Sequence, residues 1–366
     1  MSKVRHVLGI SGGKDSAALA IYMKDHYPQL DIEYYTSDTG KELDETYQLI
    51  ENLEIYLGKK IIRINASDES NSFDHFLKIY GGYLPSLNSR WCTKKLKLEP
   101  FERFVGTDPV VSYVGIRGDE DREGYISRKS NIQSIFPFRK NIWSEDVIAK
   151  VLSNINIPVM LSLFSAIPPD NNTTRRNEIL RTLISASFNQ TQKLNQLLDL
   201  GIQIFNQAVF EFLKTTSYPL SNEPEFALTK NEEVLSIQHI FKILEDSGVG
   251  VPAYYKEVDF EINGKSSSYA RSRSGCFFCF YQQKIEWVWL YEQHPELFAQ
   301  AMVYEKDGYT WIQDEPLAEL IKPDRVERIK EEYIKRSESK KSKIQSPYLL
   351  DILGEAEEEG CASCFV

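Results

Sequence analysis

The stretch that most constrains this chain is SGGKDS at Ser11–Ser16, set between the apolar run His6–Ile10 and the helix-forming run Ala17–Lys24. A strand that leaves through two glycines into a helix aims several backbone N–H groups at one point, where the helix dipole adds partial positive charge. Such a turn suits an anion. Gly12 and Gly13 permit the tight turn and a close approach of oxygen atoms, Lys14 contributes charge, and the Ser11 and Ser16 hydroxyls can donate. Asp15 fits this scheme only with a metal, because a carboxylate beside a phosphate is repulsive unless a divalent cation lies between them. Asp15 is therefore expected to face Mg2+, directly or through water. The spacing is not that of the common G-x-x-x-x-G-K-[ST] loop. The alternative is a plain glycine turn with a surface lysine.

Around this turn the chain alternates short β-branched or aromatic runs with helical ones. Segments DIEYYTSDTG, KKIIRINAS and VVSYVGIRGDE each end in polar residues, and ELDETYQLIENLEIYLG between them reads as a helix. The pattern predicts an α/β fold with a doubly wound, mainly parallel sheet covered by helices on both faces. Ligands of such sheets bind beyond the carboxyl ends of the strands, so Ser11–Ser16, Asp38–Gly40 and Arg117–Asp119 are expected to converge on one crevice. The expected division is a nucleotide-binding core over residues 1–159, a helical insertion over 160–235, a cysteine-bearing completion of the core over 236–320, and a charged tail over 321–366. The Asn- and Gln-rich insertion reads as a solvated helical addition. Lys322–Lys343, with nine basic and five acidic residues, reads as a solvated, partly helical face.

Composition narrows the setting. With 42% apolar and 26% charged residues the 366-residue chain is ordinary for a globular protein, and no apolar run approaches the roughly 18 residues of a membrane span. No membrane partner is expected. The polar turn follows so closely on the N-terminus that no signal peptide is read there, which points to the cytoplasm. Of five cysteines, four form the C-x-x-C pairs Cys276/Cys279 and Cys361/Cys364, a pattern that in a reducing compartment favours metal or redox work over disulfides. Acidic Glu357, Glu358 and Glu359 raise the thiol pKa of the last pair, which favours a passive tail. A net charge of −10 argues against nonspecific binding of nucleic acid by the whole surface.

At this point the chain resembles a family. SGGKDS is similar to the SGGxDS signature of the PP-loop ATP pyrophosphatases, which cleave ATP between the α and β phosphates. Further blocks resemble the branch that includes phosphoadenosine phosphosulfate (PAPS) reductases: SDTGKELDET at 37–46, SRWCTKKLKLEP at 89–100, VGIRGDEDREG at 114–124, FPFRKNIWSEDV at 136–147, GVGVPAYY at 248–255 and SGCFFCF at 274–280. The likeness covers most of residues 1–160 and 236–300, and neither the insertion nor the tail. An intact SGGKDS combined with the W-C-T block looks like the sulfur-transfer ATP pyrophosphatases of DNA phosphorothioation systems. The resemblance implies ATP and Mg2+ at Ser11, Gly12, Gly13, Lys14, Asp15 and Ser16, with Asp38, Thr39 and Gly40 on the adenosine side. It places Gly115, Arg117, Asp119 and Arg122 near the phosphates or substrate, and gives Lys14, Asp15, Cys92 and Arg117 catalytic roles. An internal salt bridge of Arg117 with Asp119 or Glu120 is the structural alternative.

The family's iron-sulfur members carry two adjacent cysteines in the first cysteine block and C-x-x-C in the second. Here Trp91 replaces one, leaving Cys92, Cys276 and Cys279. Three thiolates can hold a 4Fe-4S cluster with one iron open, a zinc site lacking an obvious fourth ligand, or no metal at all. All three readings stand at this point. The function implied is ATP-driven activation of a substrate for sulfur transfer, with a cysteine desulfurase as sulfur donor and with DNA presented through partner proteins. The alternatives are a sulfonucleotide reductase or other sulfate-assimilation enzyme, a tRNA thiolation enzyme, and a noncatalytic ATP-binding subunit. Basic residues Arg90, Lys94, Lys95, Lys97, Arg271 and Arg273 flank the two cysteine blocks, either to guide a phosphate backbone or as solvated charges.

Overall fold

The computed structural model describes residues 3–66, 72–120, 127, 129–306 and 308–344, the last six by their backbone alone. Arg122 and the pair Cys361/Cys364 lie outside the described residues.

Five short strands form one sheet in the order β3-β2-β1-β4-β5: β1 Arg5–Gly9, β2 Ile32–Ser37, β3 Ile62–Ile64, β4 Val110–Tyr113 and β5 Ile132–Ile135. Every pairing is parallel; Leu8 of β1 lies opposite Tyr34 of β2 on one side and Tyr113 of β4 on the other. This is the α/β fold with a parallel sheet that the alternation of runs predicts. β4 is buried at all four positions and β1 at all but Arg5, and Val7, Leu8, Val110 and Val111 supply their apolar centre. The chain winds outward from β1 to β3, then returns to lay β4 on the opposite side of β1. The switch between β1 and β4 opens a crevice at their carboxyl ends.

Helix α1, Lys14–His26, is buried over its first ten residues, Lys14–Met23. Ala17, Ala18 and Ala20 in its middle let α2 (Asp44–Leu57) and the helix Ile237–Asp246 pack close on it. The insertion does form helices, Ile157–Ser165, Thr173–Arg181, Gln190–Asp199 and Ile202–Leu213. It is not a solvated addition, however: Met160, Phe164, Leu197, Phe205 and Val209 share one core with Leu8 and Leu19 of the sheet and α1. Its polar composition describes only the outer helix faces.

A second core holds the C-terminal third against the first half. Phe73, Trp91 and Leu96 pack with Tyr254, Phe278, Trp287 and Trp311, and with Ile329 and Ile334 of the helix Pro323–Ile344. The charged run expected to be a tail from residue 321 therefore contributes to the core through that helix. An antiparallel hairpin, β6 Val258–Ile262 and β7 Lys265–Tyr269, borders the same cluster. Among the described residues no single helix is long and apolar enough to cross a membrane.

Candidate active site

The turn after β1 is folded as its sequence requires. Gly12 has φ +75°, and a Cβ there would run into the Thr46 methyl group of α2. The Ser11 N–H donates to Ser16 Oγ at 3.1 Å, the Ser16 hydroxyl donates to the Gly13 carbonyl at 3.2 Å, and the two serine hydroxyls lie 3.1 Å apart. Gly115, just after β4, has no room for a side chain, since a Cβ would sit 2.9 Å from the Asp15 carbonyl oxygen. Glycine at 115 thus lets the β4 end press against the first turn of α1.

Lys14, Asp15 and Arg117 form one ion network across the switch. Lys14 Nζ lies 3.3 Å from Asp15 Oδ2, while Arg117 Nη1 is 2.8 Å from Asp15 Oδ1 and 2.6 Å from Glu120 Oε1, and its Nε is 2.9 Å from Asp119. Burial works against the Arg117 charge, but Asp15, Glu120 and Asp119 outweigh it and raise the guanidinium pKa. Lys14 and Asp15 are only 7% and 6% exposed. The internal salt bridge foreseen for Arg117 is present, extended to Asp15.

The Asp38–Gly40 loop forms the opposite wall. Asp38 Oδ1 accepts from the Gly40 N–H at 2.8 Å and from the Tyr47 hydroxyl at 3.1 Å, and Arg63 lies 3.6 Å from its other oxygen. Ser11, Asp38, Glu42 and Thr46 line one recess with Arg63, so the first two of the three expected clusters meet there and the third joins through Arg117.

The cysteine-bearing segment closes this crevice. The Tyr254 hydroxyl donates to the Gly12 carbonyl at 2.8 Å, and the Lys14 N–H donates to the Tyr255 hydroxyl at 3.4 Å. Ser274 Oγ stands where a Cβ on Gly13 would come within 2.6 Å. The Phe277 N–H bonds to the Lys41 carbonyl at 2.9 Å, and the Thr39 hydroxyl lies 3.2 Å from Cys276 Sγ while donating to Glu42 Oε1 at 2.7 Å. Burial pushes the Glu42 carboxyl up, opposed by the Thr39 hydrogen bond. It likewise pushes the Cys92 thiol up to about 11, with Cys279 adding to the effect, and raises Cys276 and Cys279. Lys97 acts on all three thiols in the opposite sense, which places them in one neighbourhood.

These three cysteines are free thiols, and among the described residues no group of three or more His, Cys, Asp or Glu side chains is arranged to hold a metal ion. Beneath them Arg271 is 2% exposed, its Nη2 donating to the Cys276 carbonyl at 3.2 Å while Nε and Nη1 have no hydrogen-bond partner. Arg271 is therefore buried beneath the cysteine segment and is not a solvated charge.

Sequence reasoning overlooked Thr46, Tyr254, Tyr255, Ser274 and Glu42 as parts of the site. The only signal was that each lies inside a block of family likeness.

Comparison with known proteins finds likeness in the first half of the chain. Residues 5–160 match the phosphoadenosine phosphosulfate reductase domain. Over 152 residues the chain is 33% identical to an uncharacterized protein of Methanocaldococcus jannaschii, an alignment spanning 37% of this chain and 30% of that protein. The chain thus aligns with less than a third of that relative's length.

Proposed function

We propose that this chain is an ATP pyrophosphatase that activates a substrate for sulfur transfer, in DNA phosphorothioate modification. The observation that carries the reading is the join between the phosphate turn and the cysteine segment, where Ser274 abuts Gly13 and Cys276 reaches Thr39 at 3.2 Å. Nucleotide activation and thiol chemistry then share one crevice.

In this reading the N-terminus of α1 and Lys14 hold the phosphates, and an acceptor oxygen attacks the α-phosphorus as pyrophosphate leaves. The terminal sulfur of a persulfide charged by the desulfurase then displaces AMP, and a second thiol cleaves the resulting S–S bond, leaving the sulfur on the acceptor and a disulfide behind. Two cations, Lys14 and Arg117, face three carboxylates in this network, so incoming phosphates need a divalent cation as company. Asp15 would hold Mg2+, which would supply charge neutralisation there. With Asp15 so engaged, Arg117 would keep Asp119 and Glu120, which hold its guanidinium at the edge of the phosphate turn.

The test is reconstitution with a cysteine desulfurase, ATP and DNA, read as pyrophosphate release and as nuclease-resistant, sulfur-containing dinucleotides in the digest. Thiolated tRNA in place of DNA would move the reading to tRNA modification. A second reading, a sulfonucleotide reductase, is favoured by the domain that residues 5–160 match. Reduction of PAPS by a thiol donor, with no pyrophosphate release from ATP, would select it.

A further inference from the structure

A cavity of about 860 Å³ opens between the loop Tyr83–Asn88, the segment Gln282–Ile285, the loop Gly308–Pro316 and the helix Pro323–Ile344, separate from the ATP crevice. Its size is that of small-ligand sites. Tyr83 and Tyr309 are 40% and 44% exposed and meet edge to face with ring centroids 5.3 Å apart. Trp311, 6% exposed, lines the cavity further in. Gln282 also lines it, 7% exposed, and neither its amide nitrogen nor its amide oxygen has a hydrogen-bond partner.

A buried primary amide unpaired on both sides is uncommon, because each group loses its water without recompense. It offers a donor beside an acceptor. A nucleobase edge offers the complementary pair, and its ring faces stack on aromatic side chains. The lining cations Lys284 and Arg336 are balanced by Asp314 and Glu332, so the cavity selects by ring and edge rather than by phosphate charge. We propose that this cavity binds a nucleobase, carried by a single strand or by a free nucleotide, with Gln282 reading its edge and the rim tyrosines stacking on its face.

The cavity wall touches both cysteine segments. The Trp91 indole N–H donates to the Tyr83 carbonyl at 3.0 Å, one residue before Cys92, and the Gln282 N–H donates to the Cys279 carbonyl at 2.9 Å. The cavity and the cysteine segments are therefore joined by direct hydrogen bonds. This deepens the sulfur-transfer reading by naming the part of the acceptor that is recognised, and rests on it only for the purpose of binding.

The test needs neither ATP nor a sulfur donor, so it can fail independently of that reading. Fluorescence anisotropy of the full chain with a labelled single-stranded DNA and a matched abasic strand should show the base-bearing strand binding roughly tenfold or more tightly. Tyr309→Ala and Gln282→Leu should each remove most of that difference and leave abasic binding unchanged. Tyr309 sits on the surface, so its variant reads the site even if Gln282→Leu misfolds. Competition by free mononucleotides at comparable concentration would assign the cavity to a free nucleotide, and no competition would assign it to a strand. Equal affinity for the two strands, or indifference to Tyr309→Ala, would overturn the proposal.

Discussion

The Thr39 hydroxyl and the Cys276 thiol, 237 positions apart in the chain, meet at 3.2 Å. The same hydroxyl reaches Glu42 Oε1 at 2.7 Å, and when Cys276 ionises it is positioned to donate to the thiolate instead. Burial and Glu42 hold the Cys276 pKa up, and this hydrogen bond is the largest influence that lowers it. Thr39→Val should slow alkylation of Cys276 by iodoacetamide about fivefold, the worth of one net hydrogen bond, and Thr39→Ser should restore it. Mass spectrometry of the labelled peptide reads the rate, and unchanged labelling in the valine variant would refute the contact.

Cys92, Cys276 and Cys279 share a neighbourhood under Lys97. Residues that act as a unit are strongly nonadditive, so each single Cys→Ser change should cost about as much sulfur transfer as all three together. Mild, independent losses in the three single variants would show that the thiols do not work together.

The buried Lys14–Asp15–Arg117 network makes the phosphate turn sensitive to charge. Lys14→Ala and Asp15→Asn should abolish pyrophosphate release while leaving the protein folded, since Arg117 keeps Glu120 and Asp119. Asp15→Ala should also destabilise by roughly 2 kcal/mol through the unpaired groups it leaves. Circular dichroism separates lost activity from lost fold, and normal release in both Lys14→Ala and Asp15→Asn would discard the ATP-site assignment.

Gly12 and Thr46 form a lock between the phosphate turn and α2. Gly12→Ala imposes a left-handed backbone on alanine, costing about 1 kcal/mol, and adds the clash with the Thr46 methyl. Thr46→Ser removes that methyl and should recover part of the stability but not all of it. Urea titration of the two single variants and the double variant measures the coupling; strict additivity would mean the two residues do not meet.

His6 gives the fold a pH dependence. Burial lowers its pKa to about 4, and its Nδ1 lies 2.8 Å from the Tyr113 hydroxyl. The unfolded chain, with an ordinary histidine, takes up the proton first, so stability is full above about pH 6.5 and falls as pH drops toward 4. The loss through this residue should be roughly 3 kcal/mol at most, and His6→Gln should flatten that part of the urea-midpoint profile. An unchanged slope in the variant would remove His6 as the cause.

The parts of the molecule legible in the sequence are those governed by local pattern. The glycines after an apolar run located the turn from β1 into α1, and the alternation of runs gave the parallel sheet, because a buried strand and its crossover helix each leave a periodic trace. β5 went unrecognised because IQSI carries too few apolar residues to register, although all four are buried. The insertion misled for a different reason: its Asn and Gln lie outward while Phe205 and Val209 reach the common core. Tyr254, Tyr255 and Ser274 were invisible as site residues, since they act on the turn from more than 240 positions away and leave no spacing rule behind.

The seam between the turn and the cysteine segment also fixes when the crevice can exist. Strand pairing over residues 5–135 can complete early in synthesis, but Tyr254, Ser274 and Phe277 must emerge before the wall over Gly12, Gly13 and Lys41 closes. A nascent chain that has only its sheet carries the turn and Cys92, with Cys276 and Cys279 still to come. In the proposed reading, nucleotide cleavage and sulfur delivery are therefore joined only when the last hundred or so residues dock.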